Sequence, residues 1–194
     1  MLAGPSLVLA STSPGRRALL ERLRLPFEVV APDVDEAGVL GMDGASTARL
    51  RAVAKAEDVA RRRPEAHVLG SDQVLELDGE LFGKPGSSER ARAQLARLSG
   101  RVHQLITSVA LLVPGEPPRV HTEVHHLAMR PLDEAAIGRY VDADAPEHCA
   151  GSYRIEGLGI TLFERVEAMD WTGIVGLPLL AVSEMLRRAG WGLP

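Results

Sequence analysis

The stretch Gly70-Ser71-Asp72-Gln73-Val74 combines side chains capable of chemistry with the pattern of a β-strand. An apolar run leads into two small residues that predict a bend, and alternating apolar residues follow the carboxylate of Asp72. Asp78-Gly79 is a hairpin turn signal, so a returning strand would bring Lys84 back towards Asp72. A carboxylate and an ammonium on paired strands suit a site that holds a metal ion and a phosphate. A turn aspartate and a solvated lysine are the alternative.

Lysine is rare in this chain, which makes each lysine informative. Of the 22 basic residues, only Lys55 and Lys84 are lysines, and the other twenty are arginines. Lysine carries a compact point charge with movable donors, whereas arginine is a planar fork, so the two are not equivalent at a tight phosphate or metal site. The two lysines therefore indicate specific roles, with codon bias as the alternative.

Further polar groups precede Asp72 along the chain. Ser11-Thr12-Ser13-Pro14, followed by Arg16-Arg17, predicts a capped helix whose first turn could bind an anion. An ordinary capped helix with exposed arginines is the alternative. Asp33, Asp35 and Glu36 follow the second predicted strand. Acids beside an anion site favour a divalent metal between the two, although a solvated acidic loop fits as well.

These residues lie on alternating strands and helices, a pattern that indicates an α/β domain with a mixed sheet. Ser46 or Thr47 is the expected cap of the second helix. The length of 194 residues fits one domain, so we expect a single domain over residues 1–194. Apolar patterns predict strands at 6–10, 27–31, 67–69, 74–77, 81–82, 102–113, 119–129 and 160–166, and helices at about 14–23, 46–63, 88–98, 133–141 and 179–188.

Composition excludes several classes of partner and compartment. The formal net charge of -4 argues against a general nucleic-acid-binding surface. Cys149 is the single cysteine, so no internal disulfide can form, and we expect a reducing, cytoplasmic location. Residues 1–6 lack the basic start of a signal peptide, and no apolar run approaches the ~20 residues that span a membrane.

A glycine-rich stretch from Cys149 to Gly159 looks like a loop that closes on a ligand. An ordinary loop is the alternative, and a nucleophilic role for Cys149 is disfavoured. His125 and His126 are adjacent on a predicted strand and must face opposite sides, so they make a poor metal pair.

Four motifs occur in order along almost the whole chain. They are Leu9-Ala10-Ser11-Thr12-Ser13-Pro14 with Arg16-Arg17, the Asp72 hairpin with Gly83-Lys84-Pro85, Leu98-Ser99-Gly100, and Val175-Gly176-Leu177-Pro178. Together they resemble the Maf family of nucleoside triphosphate pyrophosphatases. Within the family, Gln73 and Glu156 resemble the subgroup that hydrolyses 7-methyl-GTP, whereas the subgroup for dTTP and UTP typically has threonine and glutamine there.

The resemblance implies an α/β fold with an elongated mixed β-sheet flanked by helices and two lobes with a cleft between them. It implies hydrolysis between the α and β phosphates, dependence on a divalent metal cation (Mg²⁺ or Mn²⁺), and a protein that commonly forms homodimers. The expected partner is a small-molecule nucleotide, with no nucleic acid and no membrane. The alternatives are a dTTP/UTP pyrophosphatase of the same family and an inhibitor of septum formation that acts by protein interaction.

The resemblance also assigns roles to individual residues. Asp72 matches the catalytic acid, assigned as proton acceptor, and together with Glu36 forms the metal-handling set. Gly15 departs from the family, which mostly has arginine there, or a large aromatic in the 7-methyl-GTP subgroup. The remaining matches are Ser11, Arg16, Lys55 and Lys84 for phosphate binding, and Gly15, Gln73 and Glu156 for substrate specificity.

Base recognition follows from the charge of 7-methylguanine, which is positive at neutral pH. Its N1–H and 2-amino groups form a paired donor edge that the Glu156 carboxylate can accept while offsetting the ring charge. Gln73 would add an amide contact or orient that carboxylate. Tyr153 lies in the same loop and could offer an aromatic face to the cationic ring.

Overall fold

The computed structural model describes residues 6–194 and confirms the predicted α/β fold with a mixed sheet. Residues 1–5, read above as the start of a chain without a signal peptide, lie outside the described residues. The strands in this range are β1 Leu7–Ala10, β2 Glu28–Val30, β3 His67–Leu77, β4 Glu80–Phe82, β5 Val102–Leu112, β6 Arg119–Met129 and β7 Phe163–Glu167. The helices are α1 Pro14–Glu21, α2 Gly44–Arg62, α3 Ser88–Leu98, α4 Glu134–Asp144, α5 Trp171–Val175 and α6 Leu179–Arg188.

The sheet combines parallel and antiparallel pairs. Its order is β2-β1-β3-β5-β6-β7, with β4 paired to β3 off this path. β1 runs parallel to both β2 and β3, whereas the β3–β4 and β6–β7 pairs are antiparallel. Parallel neighbours need a crossover, and α1 and α2 supply the crossovers on either side of β2 in the sequence.

The chain divides into two compact units. The first comprises the chain up to Asp72 together with Thr107–Glu123 and Asp170–Pro194. The second comprises Gln73–Ile106 and Val124–Met169. Most of the residues predicted to handle phosphate lie in the first unit, and the glycine-rich loop lies in the second.

The core of the first unit forms on both faces of β1, because all four residues of this strand are buried. Leu7 and Leu9 join a cluster that includes leucines of α1 and α6. Val8 and Ala10 face the opposite side, where small residues of α2 meet them. A continuous apolar strand covered on both faces is typical of parallel sheets. This packing fixes the end of β1, where Ser11 begins the turn into α1.

The predicted hairpin after Asp72 is present. Asp78 and Gly79 both have positive φ, as a type I′ turn requires, and Leu77 pairs with Glu80 across it. The predicted bend at Gly70-Ser71 is wrong, because β3 continues from His67 to Leu77. Asp72 therefore lies in the middle of a strand rather than at its end.

Close packing against α2 is the observed reason for a glycine at position 70. A Cβ atom there would lie 2.3 Å from the carbonyl oxygen of Ala52 and 2.8 Å from the amide nitrogen of Ala56. Both are backbone atoms, which cannot move aside as a flexible side chain would. Gly70 thus allows α2 to approach β3 closely, and α2 carries Lys55.

Other local predictions are confirmed or corrected. Ser13 caps α1, Ser87 caps α3 and Asp133 caps α4. His125 is buried while His126 is exposed, so the two face opposite sides as predicted. The caps predicted for α2 are wrong. Asp43 is the cap. Its carboxylate accepts a hydrogen bond from the Ser46 amide, and its own amide donates to the Ser46 hydroxyl oxygen.

Two further corrections concern the last third of the chain. The strand predicted at 160–166 begins only at Phe163, because Leu158–Leu162 forms a 3-10 helix. The short helix α5 was not predicted, since five residues give too little periodicity to be detected. No helix in residues 6–194 is long and apolar enough to cross a membrane.

We expect Gly70→Ala to lower the free energy of unfolding by at least about 1–3 kcal/mol, because the methyl group would collide with the backbone of α2. Gly83→Ala is the matched control, since a Cβ atom there has no atom within 4 Å. Urea unfolding of both variants measures the difference. Equal stability of the two variants would contradict the close approach of α2 to β3.

Candidate active site

A buried ion pair joins β3 to α2 in the first unit. The Lys55 Nζ atom lies 2.6 Å from Asp72 Oδ1, and the side chains are only 7% and 4% exposed. Lys55 reaches this position because its helix packs small residues, Ala52 and Ala56, against the sheet. The structure therefore brings one of the two rare lysines to the predicted catalytic acid.

Glu36 is the second carboxylate on the same lysine. Its Oε1 atom lies 2.8 Å from Lys55 Nζ, and its side chain is 41% exposed. The other two acids of the predicted cluster have local roles instead. Asp33 donates its backbone amide to Asp58, and Asp35 accepts the amide of Ala37. Of the three acids, Glu36 is thus the one that the structure places at Lys55.

The second oxygen of Asp72 makes this pair suitable for a cation. Asp72 Oδ2 is buried and has no hydrogen-bond partner among the described residues. Within residues 6–194 no group of three or more histidine, cysteine, aspartate or glutamate side chains could hold a metal ion. Mg²⁺ is commonly bound through one or two carboxylates together with substrate phosphates, so Asp72 and Glu36 fit as such a pair.

Arg16 adds a second cation near the two carboxylates. Its Nε atom donates to the carbonyl oxygen of Gly176 at 2.9 Å. Burial lowers the pKa of the Arg16 guanidinium, whereas the charges of Asp72 and Glu36 act in the opposite direction and raise it. Lys55 and Arg16 together balance the two acids, so a bound triphosphate would need additional positive charge.

The carbonyl group of Gly176 was not predicted as part of the site. It also lies 2.9 Å from the Oγ atom of Ser71, the residue before Asp72. Gly176 has a φ of +121°, and a Cβ atom would lie 3.3 Å from Arg16 Nε. A side chain at this position would be strained and would crowd the arginine. In the sequence, Gly176 belongs to the motif Val175-Gly176-Leu177-Pro178, which could have indicated its place in the site.

Asp170 and Thr172 hold the segment that presents Gly176. The Asp170 carboxylate caps α5 by accepting the amide and the hydroxyl of Thr172, and its other oxygen accepts the amide of Leu180. The Thr172 hydroxyl oxygen also accepts the amide of Leu179. These bonds connect the starts of α5 and α6, with Gly176 between them.

Ser11 and Gly15 belong to the turn from β1 into α1. The Ser11 hydroxyl oxygen accepts the amide of Ser13, and the Ser13 hydroxyl oxygen accepts the amide of Arg16. These bonds shape the predicted anion-binding turn. A Cβ atom on Gly15 would make ordinary contact with the Val175 side chain at 3.5 Å, so a larger residue there would extend past Val175.

Lys84, Gln73 and Glu156 lie in the second unit. Lys84 is exposed and lies two residues after the end of β4, and Glu156 is exposed in the glycine-rich loop. Gln94 on α3 links the two segments, since its amide nitrogen donates to the Gly83 carbonyl and its amide oxygen accepts the Ser152 hydroxyl. The predicted proximity of Lys84 to Asp72 stays a prediction.

The pKa of the Cys149 thiol is affected by the charged residues around this loop. Burial raises the pKa of Cys149, and Glu156 raises it further, while Arg154 and Lys84 lower it. Lys84 and Glu156 therefore both lie within electrostatic range of the same thiol. The raised pKa keeps the thiol protonated at neutral pH, in agreement with the disfavoured nucleophile.

Tyr153 does not offer an aromatic face to a ligand, so that expectation is wrong. It is buried, with its ring 4.9 Å from that of Phe163 and 5.7 Å from that of His103. The Tyr153 hydroxyl and His103 Nε2 lie 3.0 Å apart, and burial lowers the pKa of His103 to about 4. The apolar ring is drawn into the core of the second unit.

Comparison with known proteins gives consistent matches. The family model described as Maf-like protein matches residues 6–189. A protein of Xanthomonas campestris pv. campestris named 7-methyl-GTP pyrophosphatase is 48% identical over 190 residues, covering 98% of this chain and 99% of that protein. One of Bordetella avium with the same name is 47% identical over 190 residues, covering 98% and 96%.

A solved structure shares the fold. A HAM1 protein from Coxiella burnetii matches 93% of this chain and 96% of that chain, with a TM-score of 0.51 and 16% sequence identity. At this identity the likeness extends to the fold alone. The family resemblance and the fold class predicted from the sequence are both confirmed.

We expect Lys55→Met to lower the free energy of unfolding by about 3 kcal/mol at pH 7, because it leaves the buried Asp72 carboxylate without its partner. Adding Asp72→Asn should restore part of the loss by removing that charge. Arg17→Met is the matched control, since Arg17 pairs with Glu21 on the surface. If urea unfolding shows that Lys55→Met and Arg17→Met lower the free energy of unfolding equally, the buried pair contributes no more to stability than the surface pair does.

Proposed function

Because the chain belongs to the Maf-like protein family, we propose that it is a nucleoside triphosphate pyrophosphatase that hydrolyses 7-methyl-GTP to 7-methyl-GMP and pyrophosphate. The names of its close relatives support this substrate. The observation that carries the proposal is the buried Asp72 carboxylate, which is bonded to Lys55 through one oxygen and has no hydrogen-bond partner for the other among the described residues.

Asp72 is proposed as the proton acceptor. With Oδ1 fixed by Lys55, the carboxylate presents Oδ2 to an attacking water molecule and takes its proton as the bond between the α and β phosphates breaks. Burial limits competing solvent around this oxygen. The pyrophosphate leaves with the bridging oxygen, and the water oxygen remains on the monophosphate.

The phosphate-binding role falls to the lysines, Arg16 and Ser11. Lys55 has three donors, and two of them face Asp72 and Glu36, which leaves one for a phosphate oxygen. Arg16 is held by Gly176, so its guanidinium is already ordered before a phosphate arrives. Lys84 is assigned from the resemblance, and its exposure agrees with a ligand-binding role.

A divalent cation would be held by Glu36, with Asp72 Oδ2 as its second ligand where that oxygen does not act as the proton acceptor. It would supply positive charge to neutralise the phosphate oxygens as the leaving group departs. The two acids and their balancing cations leave no net positive charge for a triphosphate, which supports such a requirement. Mg²⁺ and Mn²⁺ both suit oxygen ligands.

Base recognition is assigned to Glu156, with Gln73 and Gly15 as further specificity positions. Glu156 is exposed in the second unit, where its carboxylate can accept the paired donors of 7-methylguanine. The dTTP/UTP alternative is less favoured because Gln73 and Glu156 depart from its pattern. We further propose that residues 1–194 act as one catalytic domain in the cytoplasm, and that two chains form a homodimer.

Substitution of the proposed proton acceptor tests the mechanism. We expect Asp72→Asn to lower kcat about 10²–10⁴-fold, because the amide cannot accept the proton. Pyrophosphate release with 7-methyl-GTP measures turnover, and circular dichroism verifies that the variant is folded. Turnover close to wild type in a folded variant would remove Asp72 from the mechanism.

A nucleotide panel tests the substrate. We expect the wild type to have a higher kcat/KM for 7-methyl-GTP than for GTP, UTP or dTTP, and Glu156→Gln to reduce the preference over GTP about tenfold, because a charge-assisted pair is lost. Glu164→Gln is a control, since this exposed acid, eight residues further along the chain, has no proposed role. A wild type that prefers UTP or dTTP would contradict the substrate assignment.

A further inference from the structure

We infer that Tyr140 and Asp144 position Glu156 by anchoring the turn that carries it. The inference rests on the proposed function, in which Glu156 reads the base. All the residues involved lie in the second unit, and neither anchor is among the site residues predicted from the sequence. Both are on α4, one helical turn apart, and both are buried.

Glu156 occupies the centre of a tight turn. The amide of Gly157 donates to the carbonyl oxygen of Arg154 at 3.2 Å, which closes a four-residue turn with Ile155 and Glu156 in the middle. The Glu156 side chain is exposed. Its place is set by the backbone of the turn, and therefore by whatever holds Arg154.

Arg154 is held through both its backbone and its side chain. Its amide donates to the Tyr140 hydroxyl oxygen at 3.0 Å. Its guanidinium lies 2.5 Å from Asp144 Oδ1. The same residue supplies the carbonyl group that closes the turn, so three groups of Arg154 are engaged at once.

The two anchors are joined to each other. The Tyr140 hydroxyl donates to Asp144 Oδ2 at 2.9 Å, which leaves both oxygens of the carboxylate bonded. Burial by itself would raise the pKa of Asp144, but the hydrogen bonds from Arg154 and Tyr140 outweigh it and hold the pKa below its ordinary value. The carboxylate is thus charged and bonded on both sides, which makes the anchor stiff.

Two glycines make room for this arrangement. A Cβ atom on Gly159 would lie 2.3 Å from the carbonyl oxygen of Arg154, and one on Gly157 would lie 3.3 Å from Asp144 Oδ1. The chain therefore folds back over Arg154 more closely than a side chain would allow. Gly157 and Gly159 therefore make room for the anchor, whereas the sequence pattern predicted a loop that closes on a ligand.

The experiment measures specificity in four proteins: wild type, Tyr140→Phe, Glu156→Gln and the double variant. We expect Tyr140→Phe to lower the ratio of kcat/KM for 7-methyl-GTP to that for GTP by about two- to tenfold, as the loss of a hydrogen bond predicts. In the Glu156→Gln background the same change should alter the ratio less than twofold, because both substitutions act through one group.

Tyr153→Phe is the matched control. It removes the hydroxyl of the neighbouring residue, which bonds to His103 rather than to the turn, so the ratio should stay as in the wild type. Hydrogen exchange supplies a second readout, with the Arg154 amide exchanging faster in Tyr140→Phe while amides of β3 are unchanged. If Tyr140→Phe does not fold, Asp144→Asn takes its place in the same measurements.

The outcomes separate this inference from the proposed function. If Glu156→Gln keeps the wild-type preference, Glu156 is not the reader and the proposed function fails at that point. If the preference falls in Glu156→Gln but not in Tyr140→Phe, the anchor alone is overturned. An equal effect of Tyr140→Phe in both backgrounds also overturns it, because the hydroxyl would then act independently of Glu156.

Discussion

The buried pair of Lys55 and Asp72 is the interaction on which the first unit depends most. Neither charge is stable away from water without the other, so the sheet and α2 must meet at a fixed distance. Gly70, two residues before Asp72, makes that distance attainable, because it leaves no side chain between strand and helix. Asp72 is thus held by the same contact between β3 and α2 that packs the core. A substitution that disturbs this packing will therefore also disturb the position of Asp72.

A second constraint comes from a backbone group. The carbonyl oxygen of Gly176 accepts from Arg16 and lies within hydrogen-bond distance of Ser71, and Asp170 and Thr172 hold the segment that presents it. Elements distant in sequence therefore converge through one peptide unit. A carbonyl group is available in every residue, so its position here depends on the unusual φ of the glycine and on the bonds made by Asp170 and Thr172.

Much of the fold follows from local signals, and the errors have physical causes. The turn at Asp78-Gly79 was predictable because positive φ at two adjacent positions favours this dipeptide. The bend assigned to Gly70 was wrong because a glycine needed for close packing has the same sequence appearance as one needed for a turn. Lys55 was identified by its rarity. The local pattern could not separate its partner Glu36 from Asp33 and Asp35, and only the family resemblance singled out Glu36. The roles assigned to individual site residues stay predictions.

The turn around Glu156 has a consequence for how selectivity can change. In the proposed function the group offered to a base is Glu156, and the turn that carries it would take its position from α4, which lies earlier in the chain. Exchanging the acid alone would place a new chemical group at an unchanged backbone position. A redesign for another base would therefore have to treat Glu156 and its helical support as one transferable part, and natural variants would be expected to drift in both together.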